Sequence, residues 1–159
     1  MAQLLLDDRP TGLEAMVRAI ANSQMRELGE MQGWLRLWNQ AFLPATPEMN
    51  WMLLGNKPLD ERLNQYLIVC RQSPAGMPGI ASNDDIAQLR CLAGRERDKL
   101  FLRLMLAHHQ GSIPMAEYTA TQAKLPAVRK IAAQIVLDQS KEIDHIQAIL
   151  AAISITAID

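Results

Sequence analysis

The stretch LMLAHHQGSIPMAEY, from Leu104 to Tyr118, places two adjacent histidines, two methionines and a glutamate in an otherwise apolar segment of helical pattern. At about 100° per residue, Met105, His108 and Ser112 fall on one stripe of that helix, and His109 lies beside it. Both histidines therefore touch the apolar side, where packing alone would favour aliphatic side chains.

The residues around this stretch predict an antiparallel hairpin of two long helices. The first arm covers residues 95 to about 122, and Lys124-Leu125-Pro126 is a tight link in which proline begins a second arm to about residue 152. With equal rise on both arms, Gln139 and Glu142 bracket the level of the histidines to within about two residues. The polar layer predicted in this way contains Met105, His108, His109, Gln139, Glu142 and His145.

The rest of the chain also has a helical pattern. Residues 11–42 carry apolar side chains at the three-and-four spacing of a helix buried on one face. Residues 43–82 are interrupted by prolines and glycines and predict a linker with one short helix, and 83–153 hold a further short helix and the histidine hairpin. No segment alternates with a period of two, so we expect one all-α helical-bundle domain over 1–159.

An internal repeat links the two long segments. Residues 20–35 match residues 135–150 when Gln24 is placed on Gln139, which also aligns Glu27 with Glu142. A duplicated helix is implied. The second copy follows the histidine helix, whereas the leading helix of the first copy is apparently missing.

The missing helix predicts self-association. Without a leading partner, part of the apolar stripe of 11–42 would face water, and exposed apolar patches beyond a few hundred Å² usually mark an association surface. We therefore expect a symmetric homodimer in which the first helices cover each other and bring Gln24 and Glu27 near the partner. The alternative is a truncated chain of poor solubility.

The charge composition argues against several classes of partner. Sixteen basic and seventeen acidic residues leave a net charge of −1, with no basic stripe, so nucleic acid and anionic membrane are poor guesses. No apolar run approaches the roughly 20 residues that span a bilayer, and the start MAQLLLDDRP does not match a signal peptide. Cys70 and Cys91 lack CxxC spacing; we expect two reduced thiols, which leave the compartment open.

The polar layer permits three interpretations. Imidazole with thioether suits Cu(I), and imidazole with carboxylate suits Cu(II), Zn or Fe, so the donor set predicts a metal site. A buried hydrogen-bond network that only fixes packing is the alternative, and for His145 alone it is the better interpretation. Glu142 and His145 form one Glu-x-x-His, which di-iron bundles use twice, so a di-iron oxidase is the weakest of the three. Met115, about 10 Å along the axis from His108, is interpreted as packing or part of a separate weak site.

The segment DKLFLRLMLAHHQGSIPMAE, residues 98–117, with Gln139 to Ile143, resembles the bacterial family catalogued as domain of unknown function 305. The stretches GMPG and MQGWLRLW are similar to its linker and to the end of its first repeat. The resemblance implies a ferritin-like four-helix bundle of the periplasm or cell surface, with some members linked to copper. It places the family's signature residues on His108, His109, Met115, Gln139 and Glu142. Ile146 stands where a methionine is common, and Pro114 interrupts the histidine helix.

The polar layer predicts a non-catalytic metal-binding protein, and the resemblance implies that it belongs to the bacterial cell envelope. Copper is the favoured ion, and the favoured ligands are Met105, His108, His109 and Glu142. Supporting positions in the predicted site are Gln24, Glu27, Met115, Gln139 and His145. A helical structural or interaction module without metal is the alternative function, and a di-iron carboxylate oxidase is a minority one. Pro114 lacks the amide that would bond the Gln110 carbonyl, which predicts a kink after His109.

Overall fold

Helices dominate the described part of the chain, which in this computed structural model comprises residues 1–7, 9, 11–43, 49–55 and 58–155. The α-helices are α1 (Ala2–Leu5), α2 (Glu14–Leu37), α3 (Glu61–Gln72), α4 (Asn83–Cys91), α5 (Gly94–Gln122) and α6 (Pro126–Ile155), and a 3-10 helix covers Met49–Leu54. Within these residues there is no β-strand. The predicted all-α helical bundle is confirmed, while its ferritin-like character stays a prediction.

Helix α2 is shorter at both ends than the predicted 11–42. It ends at Leu37 because Asn39 adopts a left-handed φ of 52°. The Asn39 amide then donates to the Arg36 carbonyl at 3.1 Å and the Gln40 amide to the Leu35 carbonyl at 2.8 Å, the Schellman pattern of a helix C-terminus. Because the left-handed residue is an asparagine and not the more usual glycine, the sequence analysis did not predict that the helix ends here.

The chain divides into two compact units, each built from two separate segments. Unit 1 is Met1–Pro47 with Asn83–Phe101, and unit 2 is Glu48–Ser82 with Leu102–Asp159. Helix α5 therefore contributes its first turns to unit 1 and the remainder, with both histidines, to unit 2. The predicted linker 43–82 supplies α3 and the 3-10 helix of unit 2; its residues 44–48, 56 and 57 lie outside the described residues.

Unit 1 is held together by a buried arginine. Arg97 is 0% exposed and binds both carboxylate oxygens of Asp7, at 3.0 and 2.9 Å. It also donates to the Leu4 carbonyl and, at 3.2 Å, to the Leu89 carbonyl. This arginine fixes the N-terminal helix α1, which sequence analysis missed, to α4.

The apolar face of α2 is buried only in its first half. Val17, Ile20 and Ala21 are buried, whereas Met25, Leu28 and Leu37 are at least half exposed. The predicted homodimer stays a prediction. In the described part of the chain, no helix is both long enough and apolar enough to cross a bilayer.

Unit 2 contains the predicted hairpin from Leu102 onward. Helices α5 and α6 are joined by residues 123–125, as the Lys124-Leu125-Pro126 link predicted. Helix α5 continues through Pro114, and the predicted kink stays a prediction. Buried Met52, Tyr66, Leu67, Cys70 and Tyr118 form an apolar cluster in this unit.

Candidate functional site

The predicted polar layer forms around a buried histidine on α5. His109 is 0% exposed, and its Nε2 lies 2.5 Å from a carboxylate oxygen of Glu142 on α6. Met105, one turn before His109 on the same face, is also buried. The structure therefore brings together the histidine and the carboxylate that the sequence placed in one layer.

A second polar pair lies one turn nearer the link. The Ser112 hydroxyl donates to the His109 carbonyl at 2.9 Å and contacts the Gln139 side-chain oxygen. Ser112 lies on the predicted stripe but was not recognised as the partner of Gln139. Because its side chain can bond both its own helix and α6, it connects Gln139 to the histidine turn.

These two pairs define the hairpin register. Equal rise from the link would set His109 opposite residue 140, whereas its partner is Glu142. The difference has a geometric cause: Cβ atoms tilt toward the N-terminus of their own helix. His109 thus reaches away from the link and Glu142 toward it, each by about one residue. The prediction was correct within its stated margin of about two residues.

Two ring nitrogens in the layer have no hydrogen-bond partner among the described residues. These are Nδ1 of His108 and Nδ1 of His109, both inaccessible to water. Burial lowers the pKa of His108, because desolvation disfavours the charged imidazolium, and the neighbouring His109 adds to this effect. His108 is therefore held neutral, the form in which an imidazole nitrogen can bind a metal.

The opposite side of the histidine turn is covered by the turn at residues 76–79. A Cβ on Gly79 would lie 2.1 Å from the Ala107 carbonyl oxygen, and a Cβ on Gly111 would lie 2.1 Å from the Pro78 carbonyl oxygen. Only glycine permits such an approach of two backbones. The Tyr66 hydroxyl donates to the Gly111 carbonyl at 2.8 Å. The GMPG motif thus packs directly on the backbone of the histidine turn.

The remaining predicted residues lie elsewhere. His145 is exposed on α6, so it belongs to neither polar pair. Met115 packs against the apolar cluster of unit 2, in agreement with its interpretation as packing. Gln24 and Glu27 are on α2 in unit 1, where the Ser23 hydroxyl donates to Glu27 at 3.3 Å. Their predicted place beside a partner's site stays a prediction.

The donor set fits some metal sites and not others. Within the part of the chain that the structure describes, no three His, Cys, Asp or Glu side chains are grouped to hold an ion. A di-iron centre, which needs several carboxylates with two histidines, does not fit these residues. A soft monovalent ion, which accepts few ligands and thioether sulfur, fits better, since two imidazole nitrogens without partners and Met105 are present.

Comparison with known proteins gives a family and a fold. The sequence profile of the family described as "Domain of unknown function (DUF305)" matches residues 1–150. A crystal structure of a DUF305 protein from Streptomyces coelicolor, named as a candidate secreted protein, is 25% identical with a TM-score of 0.76, covering 95% of this chain and 81% of that one. A DUF305 fragment from Deinococcus radiodurans is 24% identical with a TM-score of 0.67, covering 95% and 83%. Among curated proteins, none matches the chain.

Proposed function

The chain belongs to the family of domain of unknown function 305, and from this premise we propose that it is a non-catalytic metal-binding protein of the bacterial cell envelope. Copper is the favoured ion. The proposed ligands are Met105, His108, His109 and Glu142 of the polar layer in unit 2. The similar protein from Streptomyces coelicolor is named as a candidate secreted protein, which supports the proposed location.

One observation carries the proposal: two buried imidazole nitrogens, on His108 and His109, lack any hydrogen-bond partner among the described residues. A buried polar atom without a partner costs about 1–3 kcal/mol, which binding of an ion would offset. Both rings belong to one turn of α5, with centroids 6.0 Å apart. Because a neutral imidazole and a thioether are soft or borderline donors, Cu(I) suits this set better than Mg²⁺ or Ca²⁺.

Silver is the experimental probe, since Ag(I) has the ligand preference of Cu(I) without its redox chemistry. We expect Ag(I) at a hundredfold excess over its dissociation constant to stabilise the protein by about 2.7 kcal/mol per site. The double variant His108→Ala, His109→Ala should lose this contribution in thermal unfolding.

The third histidine supplies the control, because His145 is exposed and outside both polar pairs. His145→Ala should therefore retain the stabilisation by Ag(I). An equal shift in the double variant and in His145→Ala would contradict the histidine site.

A separate observation favours the second candidate function, a helical interaction module. The pairs His109 with Glu142 and Ser112 with Gln139 fix α5 against α6 in one register, which is the use of a buried polar layer in a helical interaction module. On this interpretation the layer specifies packing and binds no ion.

A double-mutant cycle measures how closely the layer is coupled. For His109→Gln and Glu142→Gln we expect a coupling free energy of roughly 0.5–3 kcal/mol, because the side chains are in contact and His109 is fully buried. Gln134 and Asp138, joined by a solvent-exposed hydrogen bond of 2.8 Å along α6, form the control pair, with an expected coupling of about 0.2–0.5 kcal/mol. Additive effects of the two buried substitutions would show that this register is wrong, whereas strong coupling without any Ag(I) shift would favour the interaction module.

A further inference from the structure

Exposed apolar side chains gather at the end of helix α2, in unit 1. Leu37 and Leu43 are 82% and 81% exposed, and the rings of Trp38 and Phe42 are nearly half exposed. Because a whole aromatic side chain covers about 150–250 Å², the two rings alone present roughly 140–230 Å² to solvent. With the leucines, this end reaches the few hundred Å² of apolar surface that usually mark an association site. We call it the aromatic tip, which comprises Trp34, Arg36, Leu37, Trp38, Phe42 and Leu43.

The side chains of the aromatic tip point to several sides of the helix. Consecutive residues of an α-helix are about 100° apart, so Arg36, Leu37 and Trp38 point in three directions. Trp34, one turn before Trp38, stacks on it with ring centroids 6.1 Å apart. The Phe42 ring lies against the guanidinium of Arg36, whose Cζ is 5.5 Å from the ring centroid. Apolar groups thus surround much of the helix end, whereas a contact with one protein partner needs a single stripe.

The backbone of the aromatic tip is largely satisfied without water. The last carbonyls of a helix have no donor within the helix, and in an apolar environment an unsatisfied carbonyl is strongly unfavourable. Here the amides of Asn39 and Gln40 bond two of these carbonyls, and the Gln40 side chain donates to the Trp38 carbonyl at 3.3 Å. These bonds lower the cost of moving the end of α2 out of water.

The charge of this segment also suits a lipid surface. Residues 31–43 contain one charged side chain, Arg36, and no acid. The stem of an arginine can lie along apolar surface while its guanidinium reaches a phosphate, and tryptophan is enriched where a bilayer meets water. The near-zero net charge of the whole chain does not reveal this local composition.

We propose that the aromatic tip inserts into the headgroup region of a phospholipid bilayer and holds the protein at the membrane surface. Insertion of this kind reaches about 5–10 Å into the boundary between headgroups and acyl chains, and does not span the bilayer. A fluid lipid interface can cover side chains on several sides of a helix end at once. The proposal does not depend on the histidine layer, because the tip belongs to unit 1 and the layer to unit 2.

The test compares two pairs of exposed apolar residues on the same segment. Leu37→Ser, Leu43→Ser alters the tip, and Met25→Ser, Leu28→Ser is the matched control. Met25 lies 12 residues before Leu37, about 18 Å along the axis and thus beyond the depth of insertion. In sedimentation with phosphatidylcholine vesicles, the tip variant should bind at least about tenfold more weakly than the wild type, since burying one leucine contributes about this factor. The control variant should bind as the wild type does, and melting curves verify that both variants fold.

Tryptophan fluorescence supplies an independent readout. In the background Trp51→Phe, Trp34 and Trp38 are the remaining indoles, and their emission should shift to the blue on vesicles and be quenched by brominated acyl chains. Addition of phosphatidylglycerol to the vesicles should strengthen binding about fivefold, the contribution of one arginine near an anionic surface. Arg36→Gln should lose this gain and keep the binding to phosphatidylcholine.

Two results would overturn the proposal. The first is a wild type that does not bind vesicles, or a tip variant that binds them equally well. The second is a wild-type dimer in light scattering that binds no vesicles and that Leu37→Ser, Leu43→Ser dissociates. This second result would assign the aromatic tip to a second copy of the chain.

Discussion

Gly79→Ala is expected to lower the free energy of unfolding by about 2–5 kcal/mol, through two separate effects. Gly79 has a left-handed φ of 82°, a conformation that costs an L-residue about 1–2 kcal/mol. The added Cβ would also lie 2.1 Å from the Ala107 carbonyl oxygen and 2.6 Å from its carbon. Since both atoms are backbone of α5, no side chain can move aside, and overpacking of this kind costs about 1–3 kcal/mol.

Urea denaturation at equilibrium measures this effect, and α2 provides the opposite control. A Cβ on Gly33 would meet no atom within 4 Å, so Gly33→Ala should stabilise the protein by about 1 kcal/mol through helix propensity. Substitution of glycine by alanine is therefore expected to lower the free energy of unfolding at position 79 and to raise it at position 33. A Gly79→Ala variant as stable as the wild type would mean that the turn at 76–79 is not packed on the histidine helix.

Arg97→Ala is expected to destabilise the protein by about 2–4 kcal/mol, which corresponds to a fall in melting temperature of roughly 4–16 °C. The substitution removes a fully buried side chain and leaves the Leu4 and Leu89 carbonyls without this donor. The control is Arg18→Ala, because Arg18 is 60% exposed and pairs only with Glu14 among the contacts described. Exposed pairs of this kind contribute at most about 0.5 kcal/mol.

The contact of Arg97 with Asp7 also predicts that the stability of the protein depends on pH. Hydrogen bonds from Arg9 and Arg97 hold the pKa of Asp7 well below its ordinary value of 3.8. A carboxyl group with a depressed pKa in the folded state contributes stability above its unfolded pKa, and this contribution is lost as the pH falls below that value. Melting curves from pH 6 downward should therefore decline less steeply below about pH 4 in Arg97→Ala than in the wild type. Parallel curves would contradict the assignment of Arg97 as the partner of Asp7.

Sequence patterns predicted the histidine hairpin well because two strong signals coincide there. Pro126 fixed the start of the second arm, and polar residues on apolar stripes marked the layer, so the approach of the histidine pair to Glu142 followed from arithmetic to within about two residues. The same arithmetic could not distinguish His109, which meets Glu142, from His108, which does not. That distinction depends on a rotation of one residue about the helix axis, which hydrophobic periodicity does not resolve.

The contacts that hold the histidine turn and helix α1 in place could not be predicted, because they join segments that are distant in the sequence. Tyr66 and Gly111 are 45 residues apart, and neither local sequence contains a pattern that predicts their hydrogen bond. The glycines of GMPG carried the available signal, since glycine marks close backbone approach as well as turns. Helix α1 was missed for a related reason: four residues carry no periodicity, and its position depends on Arg97.

The division of each unit into two segments has a consequence for folding during synthesis. Asp7 and Arg97 are separated by 90 residues, and ribosomes add roughly 5–20 residues per second. The N-terminal segment must therefore wait on the order of 5–20 s for the arginine that anchors it. During this interval unit 1 lacks its second segment, Asn83–Phe101, so we expect Val17 and Ile20, which are buried in the folded protein, to be more exposed. The hairpin partners His109 and Glu142 are only 33 residues apart, so the proposed histidine site can close within seconds of its synthesis.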